Sequence, residues 1–219
     1  MRLVLISDTH GRHTELQLPA GDCLIHAGDF SSGRSWQELQ DFIDWFASQP
    51  HPHKLLVAGN HDLQFEQEPC AARARLPSNI VYLQDSSMEL EGIRIYGSPW
   101  TPRFFDYAFM CPRGEAMAER WARIPERTQL LITHGPAQGI ADLTSTGQQV
   151  GCEALIERLH QLPDLRLHVF GHIHEDYGIY PATSTRGWQS ANASSCRWGD
   201  PGLNEPLVID WSDAPFLCG

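Results

Sequence analysis

The sequence predicts an α/β domain, and three observations carry that expectation. Short β-rich runs recur along the chain, amphipathic helical stretches lie between several of them, and one alternating segment reads as a hairpin. Strand, helix, strand order near the start gives the α/β class. The hairpin and the late strands predict sheets that are mixed rather than purely parallel.

The strand runs fall at 3–6, 23–26, 55–58, 80–83, 93–96, 130–133, 167–170 and 207–209, each bounded by Gly, Pro, Asp or Asn. Several are apolar throughout, as in strands covered on both faces. Residues 88–96 alternate around a turn signal, so they read as a hairpin with one exposed face. The clearest helix spans 35–49. There Trp36, Leu39, Phe42, Ile43 and Phe46 share a face, a capping box opens at Ser35, and Pro50 closes the segment. Residues 151–162 repeat the pattern, and 115–123 form a shorter candidate. Two stretches read as irregular, 99–114 with its aromatics and prolines and 181–206 with its Gly, Ser and Asn. Loops of that length in compact domains often carry binding surfaces.

The chain has 219 residues, 42% of them hydrophobic and 20% charged, which suits one domain over 1–219. Its formal net charge of -11 makes it a poor generic binder of duplex DNA, which usually meets a basic face. The apolar start runs quickly into Ser7 and Asp8, and no stretch approaches the length of a transmembrane helix. A cytoplasmic protein without membrane partners is expected. The six cysteines, Cys23, Cys70, Cys111, Cys152, Cys196 and Cys218, show no C-x-x-C spacing and read as free thiols. Asn192-Ala193-Ser194 fits a glycosylation pattern, which means little without a secretory signal.

The chemistry lies in what ends the strands. The runs are followed by Asp8-Thr9-His10, Gly28-Asp29, Gly59-Asn60-His61-Asp62, His134-Gly135 and Gly171-His172-Ile173-His174. Five apolar strands thus each deliver a metal-type ligand at the carboxyl end, the edge where sites assemble in α/β proteins. Mixed oxygen and imidazole donors suit Mn, Fe, Zn or Ni better than Ca. By spacing, Asp8 and His10 can share an ion, and so can His172 and His174. The neighbouring glycines are expected to let the chain turn sharply as it leaves the sheet. Any one of these features alone is more often a turn or a structural histidine; their joint occurrence is what points to a metal centre.

In its order D-x-H, G-D, G-N-H-D, H and G-H-x-H, the chain resembles the calcineurin-like metallophosphoesterases from Leu3 to about Ile173. The resemblance implies a two-sheet α/β/β/α sandwich and two divalent transition-metal ions. One would be held by Asp8, His10, Asp29 and His174. The other would be held by Asp29, Asn60, His134 and His172, with Asp29 bridging. The same resemblance puts His61 beside the scissile phosphate without ligating a metal. Segments 96–102, 108–109, 113–114, 192–196 and 204–210, with Trp121, are similar to the group that includes the brain metallophosphoesterase-domain proteins. Some members of that group lack the last histidine of G-H-x-H; this chain keeps His174. The likeness implies a small phosphodiester substrate of the cyclic nucleotide kind.

On this reading two cations neutralise the phosphodiester and acidify the attacking water. His61, next to Asn60, protonates the leaving oxygen. Asp62 either orients the His61 ring or serves a turn or helix cap. The aromatics Trp100, Phe104, Phe105, Tyr107 and Phe109 are expected mostly to cover the core or meet another subunit, with base stacking the alternative. A homo-oligomer is left open. His13, His26, His51, His53, His160 and His168 are read as structural or surface residues. A protein phosphatase or a nuclease on the same scaffold is the competing function. A nuclease usually adds DNA-binding domains, and no arginine directly follows the Asn60-His61-Asp62 run. A metal-free interaction protein is disfavoured by the full ligand set.

Overall fold

A computed structural model describes residues 1–215; Cys218 lies outside the described residues. The strands are β1 (Arg2–Ile6), β2 (Cys23–His26), β3 (His53–Leu56), β4 (Val81–Tyr82), β5 (Ser86–Leu90), β6 (Ile93–Ser98), β7 (Thr101–Pro102), β8 (Met110–Cys111), β9 (Leu130–Thr133), β10 (Leu167–Phe170), β11 (Gly178–Tyr180), β12 (Gln189–Asn192), β13 (Cys196–Arg197), β14 (Asp200–Leu203) and β15 (Leu207–Asp210). The helices are α1 (Trp36–Ser48), α2 (Leu63–Gln67), α3 (Pro69–Arg73), α4 (Glu115–Trp121) and α5 (Glu153–Leu159).

Two mixed sheets dominate. The first has the order β15-β1-β2-β3-β4, and the second β11-β12-β10-β9-β6-β5. In the first, β1 to β4 run parallel and β15 runs antiparallel to β1. In the second, β6, β9, β10 and β12 run parallel, with β5 and β11 antiparallel at the edges.

Alternation along apolar strands explains the layering. Leu3, Leu5, Ile25 and Leu55 of the first sheet meet Ile95, Leu130, Ile132, Leu167 and Val169 of the second in a core between the sheets. Their neighbours Val4, Ile6, Leu24 and Leu56 point outward onto Leu39, Phe42, Ile43 and Phe46 of α1. Likewise Leu131 and Phe170 point outward onto Met117 and Trp121 of α4 and Leu155 and Leu159 of α5. Each of these central strands buries both faces, so its two-residue period survives only as a choice between two apolar layers. The result is the expected α/β/β/α sandwich. Ser35 caps α1 by accepting from the Glu38 N–H at 3.1 Å.

The main departure is β12. Gln189, Ser190, Ala191 and Asn192 fall in a stretch read as irregular, yet they pair with β10 inside the second sheet. The segment is polar and small, so no hydrophobic pattern marks it. The third strand begins at His53, earlier than its apolar run, and Lys54 is buried there with Nζ donating to His51 O at 2.9 Å.

Candidate metal centre

Because β1, β2 and β3 run parallel, as do β9 and β10, their carboxyl ends bring all five motif loops to one edge of the sandwich. Asp8, His10 and His174 offer ligand atoms within 4.8 Å of one another, as do Asp29, His134 and His172, and also His10, Asp29 and His61. Asn60 joins the second group, with its Oδ1 2.9 Å from His134 Nε2.

The ligand loops are backbone-strained. Asp8, His10, Asp29 and His172 adopt φ of 50°, 44°, 55° and 71°, a left-handed region that side chains other than glycine rarely enter. Such strain persists where surrounding contacts over-determine it. The expectation for the glycines holds only in part. Gly28 turns at φ 109°, whereas Gly59, Gly135 and Gly171 are not left-handed. Gly59 and Gly171 are needed for close approach: a Cβ at Gly59 would strike the Asp29 carboxylate, and one at Gly171 the Asp8 carboxylate.

The spacing argument for His172 and His174 also needs correction, because they fall in different groups. Strand β10 stops at Phe170, so both lie beyond the pleat, and the left-handed turn at His172 sends the two rings toward different partners.

The two carboxylates are held alike. Asp8 Oδ2 accepts from the His172 N–H at 2.9 Å and from Ser194 Oγ at 3.0 Å, leaving Oδ1 3.3 Å from His174 Nε2. Asp29 Oδ1 accepts from the His61 N–H at 2.7 Å. Its Oδ2 faces His134 Nε2 at 3.4 Å, His10 Nε2 at 3.8 Å and His61 Nε2 at 4.0 Å. In each case one oxygen is fixed by a neighbouring loop and the other is aimed at imidazoles.

The donor chemistry fits cations. His134 Nδ1 lies 3.0 Å from Ala27 O, a carbonyl that can only accept, so Nδ1 carries the proton in neutral His134. The lone pair on Nε2 then faces two oxygens, Asn60 Oδ1 and Asp29 Oδ2. A metal ion resolves that opposition, and a backbone carbonyl on the distal nitrogen is the usual support of a ligating histidine. Without a metal a proton must serve: against the cost of burial, Asp29 draws the His134 pKa up to about 9. The 3.3 Å between His10 Nε2 and His174 Nε2 fits two ligands on one ion, since donors about 2.1 Å from a shared centre sit roughly 3.0–3.4 Å apart. Burial holds His172 neutral, with its pKa pushed down to about 3 and its lone pair free to ligate. Burial alone would raise the Asp8 and Asp29 pKa values, yet the surrounding histidines hold both well below the usual carboxylate range.

Some supporting residues were not read from the sequence as such. Asp62 accepts from the N–H groups of Asp29 at 2.9 Å, Ser31 at 3.0 Å and Gly59 at 2.7 Å, and from Ser31 Oγ at 2.9 Å. It does not cap α2 through its side chain. Of the alternatives, the turn role fits best: its bonds join the loop after β2 to the loop after β3. Burial and the nearby Asp29 raise its pKa, and the donated hydrogen bonds pull it back. Ser194, which braces Asp8, follows the concealed strand β12, and its backbone N–H donates to Asn192 Oδ1 at 3.1 Å. His26 is more than filler. Its Nδ1 accepts from the Gly28 N–H at 3.3 Å, so Nε2–H donates to Thr9 Oγ1 at 3.0 Å, between the two ligands of the first loop.

The aromatic loop divides. Phe109 is buried, and Trp100 packs on the core with Nε1–H donating to Asp85 at 2.8 Å, as the covering role requires. Phe104, Phe105 and Tyr107 instead stand exposed at the mouth of a cleft of about 550 Å³ whose floor is the ligand cluster.

The calcineurin-like phosphoesterase family profile matches residues 1–176. The human metallophosphoesterase domain-containing protein 1 is 41% identical over 232 aligned residues, which cover 95% of this chain and 70% of that protein. Among solved structures, a dimetal phosphatase from Danio rerio superposes with a TM-score of 0.58 at 13% identity, covering 88% of this chain and 86% of that one. Thermus thermophilus TT1561 superposes with a TM-score of 0.60 at 10% identity, covering 87% and 88%. The structural likeness carries the fold alone, but with the profile match, the human relative and the Asp/His cluster at the shared sheet edge it places the chain in the calcineurin-like phosphoesterase family, in the group of the metallophosphoesterase domain-containing proteins.

Proposed function

We propose that the chain hydrolyses small phosphodiesters, of the cyclic nucleotide class, at a dinuclear metal centre. Asp8, His10, Asp29 and His174 would hold one ion and Asp29, Asn60, His134 and His172 the other. Mn, Fe, Zn and Ni suit this donor set. The observation that carries the reading is the Asp29 carboxylate, whose Oδ2 lies within 3.4–4.0 Å of imidazole nitrogens from three different loops. When bound, the ions neutralise the phosphodiester and acidify a water for attack on phosphorus.

His61 is the group left to serve the leaving oxygen. Its backbone is pinned to Asp29, its side chain is partly exposed on the cleft, and its ring rests 4.8 Å from that of Tyr107. A general acid needs this combination of fixed position and access to substrate. Asn60 completes the second ligand group from the adjacent position. Free thiols at Cys23, Cys70, Cys111, Cys152 and Cys196 support a reducing, cytoplasmic setting, and no helix among the described residues is long and apolar enough to cross a membrane.

The test is a substrate panel on metal-loaded protein: 2',3'- and 3',5'-cyclic nucleotides, bis-p-nitrophenyl phosphate and the monoester p-nitrophenyl phosphate. The reading expects the diesters, cyclic nucleotides among them, to be turned over faster than the monoester. Turnover confined to the monoester would overturn it.

A further inference from the structure

Four exposed aromatic side chains occur among the described residues: Phe104, Phe105, Tyr107 and Trp198, at 48%, 67%, 39% and 64% of their full accessibility. All four line the cleft that holds the Asp29 cluster. Large rings left in water at one place mark a binding surface more often than chance exposure does. Three of them form a mutually packed group, with ring centroids 5.2 Å apart for Phe104 and Phe105, 5.7 Å for Phe104 and Tyr107, and 6.0 Å for Phe105 and Tyr107. The group abuts the chemistry directly. The Phe104 ring lies 5.4 Å from that of His172, and Tyr107 lies 4.8 Å from His61. Trp198 comes from a separate element, the turn between β13 and β14, and neighbours His174 and Glu175.

We propose that Phe104, Phe105, Tyr107 and Trp198 form a base-binding subsite that selects nucleotide-type phosphodiesters, a proposal that rests on the phosphodiesterase reading of the same cleft. The placement suits the occupant. A phosphate held at the ligand cluster leaves the base of the same nucleotide one sugar away, within reach of rings that touch His172 and His61. Stacking on aromatic faces is the sequence-tolerant way to hold a base.

The remaining wall carries Thr144, Ser145, Thr146 and Gln148; the Thr144 hydroxyl holds the loop together by donating to Gln148 O, and the Ser145 hydroxyl and Gln148 amide can meet base edges. That wall is braced from the metal side. The Ser145 N–H donates to Glu175 Oε1 at 2.8 Å and the Leu143 N–H to Asp176 Oδ2 at 2.7 Å, so the loop is tied to the residues that follow His174. A cleft of about 550 Å³ matches a small-molecule site. An acyl chain is a poorer fit, because the non-proline aliphatic lining amounts to Val150 and Ile173.

The test uses Mn-loaded full-length protein, with a nucleoside monophosphate and inorganic phosphate as paired probes. Binding is measured by calorimetry and by tryptophan fluorescence in wild type, Phe104→Ala and Trp198→Ala. The proposal expects the nucleoside monophosphate to bind between about fivefold and a hundredfold tighter than phosphate. Each variant should lose most of that margin while keeping the wild-type phosphate affinity and metal content. The base should quench fluorescence in wild type, with the quench much reduced in Trp198→Ala. An unchanged margin in both variants, or no margin in wild type, would overturn the subsite. Failure of the underlying reading shows separately, as absence of diester turnover by the wild-type protein.

Discussion

Asp8, Asp29, Asn60 and His134 at the floor of the cleft are almost wholly buried, whereas Phe104, Phe105, Tyr107 and Trp198 at its rim are exposed. The floor residues sit on loops tied to one another by buried hydrogen bonds through Asp62 and Ser194, and Asp8 and Asp29 hold left-handed backbone. At the rim, Phe104, Phe105 and Tyr107 pack on each other and against the rings of His172 and His61. The difference separates two tasks. Positioning charge for chemistry requires desolvation and rigid support. Recognising a planar group requires exposed faces and tolerates loose support. The floor should therefore fail steeply when altered, and the rim gently.

The largest effect is expected at Asp29. Asp29→Asn removes the one charge assigned to both ions, so metal content by elemental analysis should fall further than in His174→Ala. Equal or better retention would mean that the bridge is a different residue. His61→Ala comes next and should keep both metals. The leaving oxygen of a cyclic nucleotide is a high-pKa ribose alkoxide, so turnover of that substrate should fall roughly a hundredfold or more. The loss on bis-p-nitrophenyl phosphate, whose leaving group needs no proton, should be much smaller. Equal losses at matched metal occupancy would leave His61 as an electrostatic clamp rather than an acid.

Smaller still is Ser194→Ala, which removes a brace from Asp8 Oδ2. Metal affinity should weaken about tenfold, at the low end for groups that support a ligand from behind. No change in a metal titration would show that the His172 N–H alone suffices. Least of all, Phe105→Ser should shift folding stability by no more than about 0.5 kcal/mol in a denaturant melt, as exposed positions usually do. A large loss would show that the rim is structural after all and would collapse the comparison.

The floor was far more legible in the sequence than its supports. Asp8, His10, Asp29, Asn60, His134, His172 and His174 each follow an apolar strand run, so a local pattern locates them, and parallel pairing then gathers them at one edge. Nothing local marks Ser194. Its strand, β12, has no apolar alternation, and its partner Asp8 lies 186 residues away. Asp62 was visible but ambiguous, because its bonds to Asp29, Ser31 and Gly59 depend on how two loops dock. The aromatic loop was legible only in part for a related reason: composition cannot distinguish an aromatic that covers the core, such as Phe109, from one that faces a cleft, such as Phe104. The four-layer sandwich itself was read through family resemblance, since apolar runs predict burial on two faces but not which layers provide it.

The account stands most directly on the metal content of the wild-type protein. Protein stripped with a chelator, reconstituted with Mn and freed of excess metal should carry two ions per chain by elemental analysis, and its phosphodiesterase activity should vanish on stripping and return on reconstitution. Occupancy near zero, with activity indifferent to the chelator, would contradict the dinuclear centre and everything derived from Asp29 as its hub.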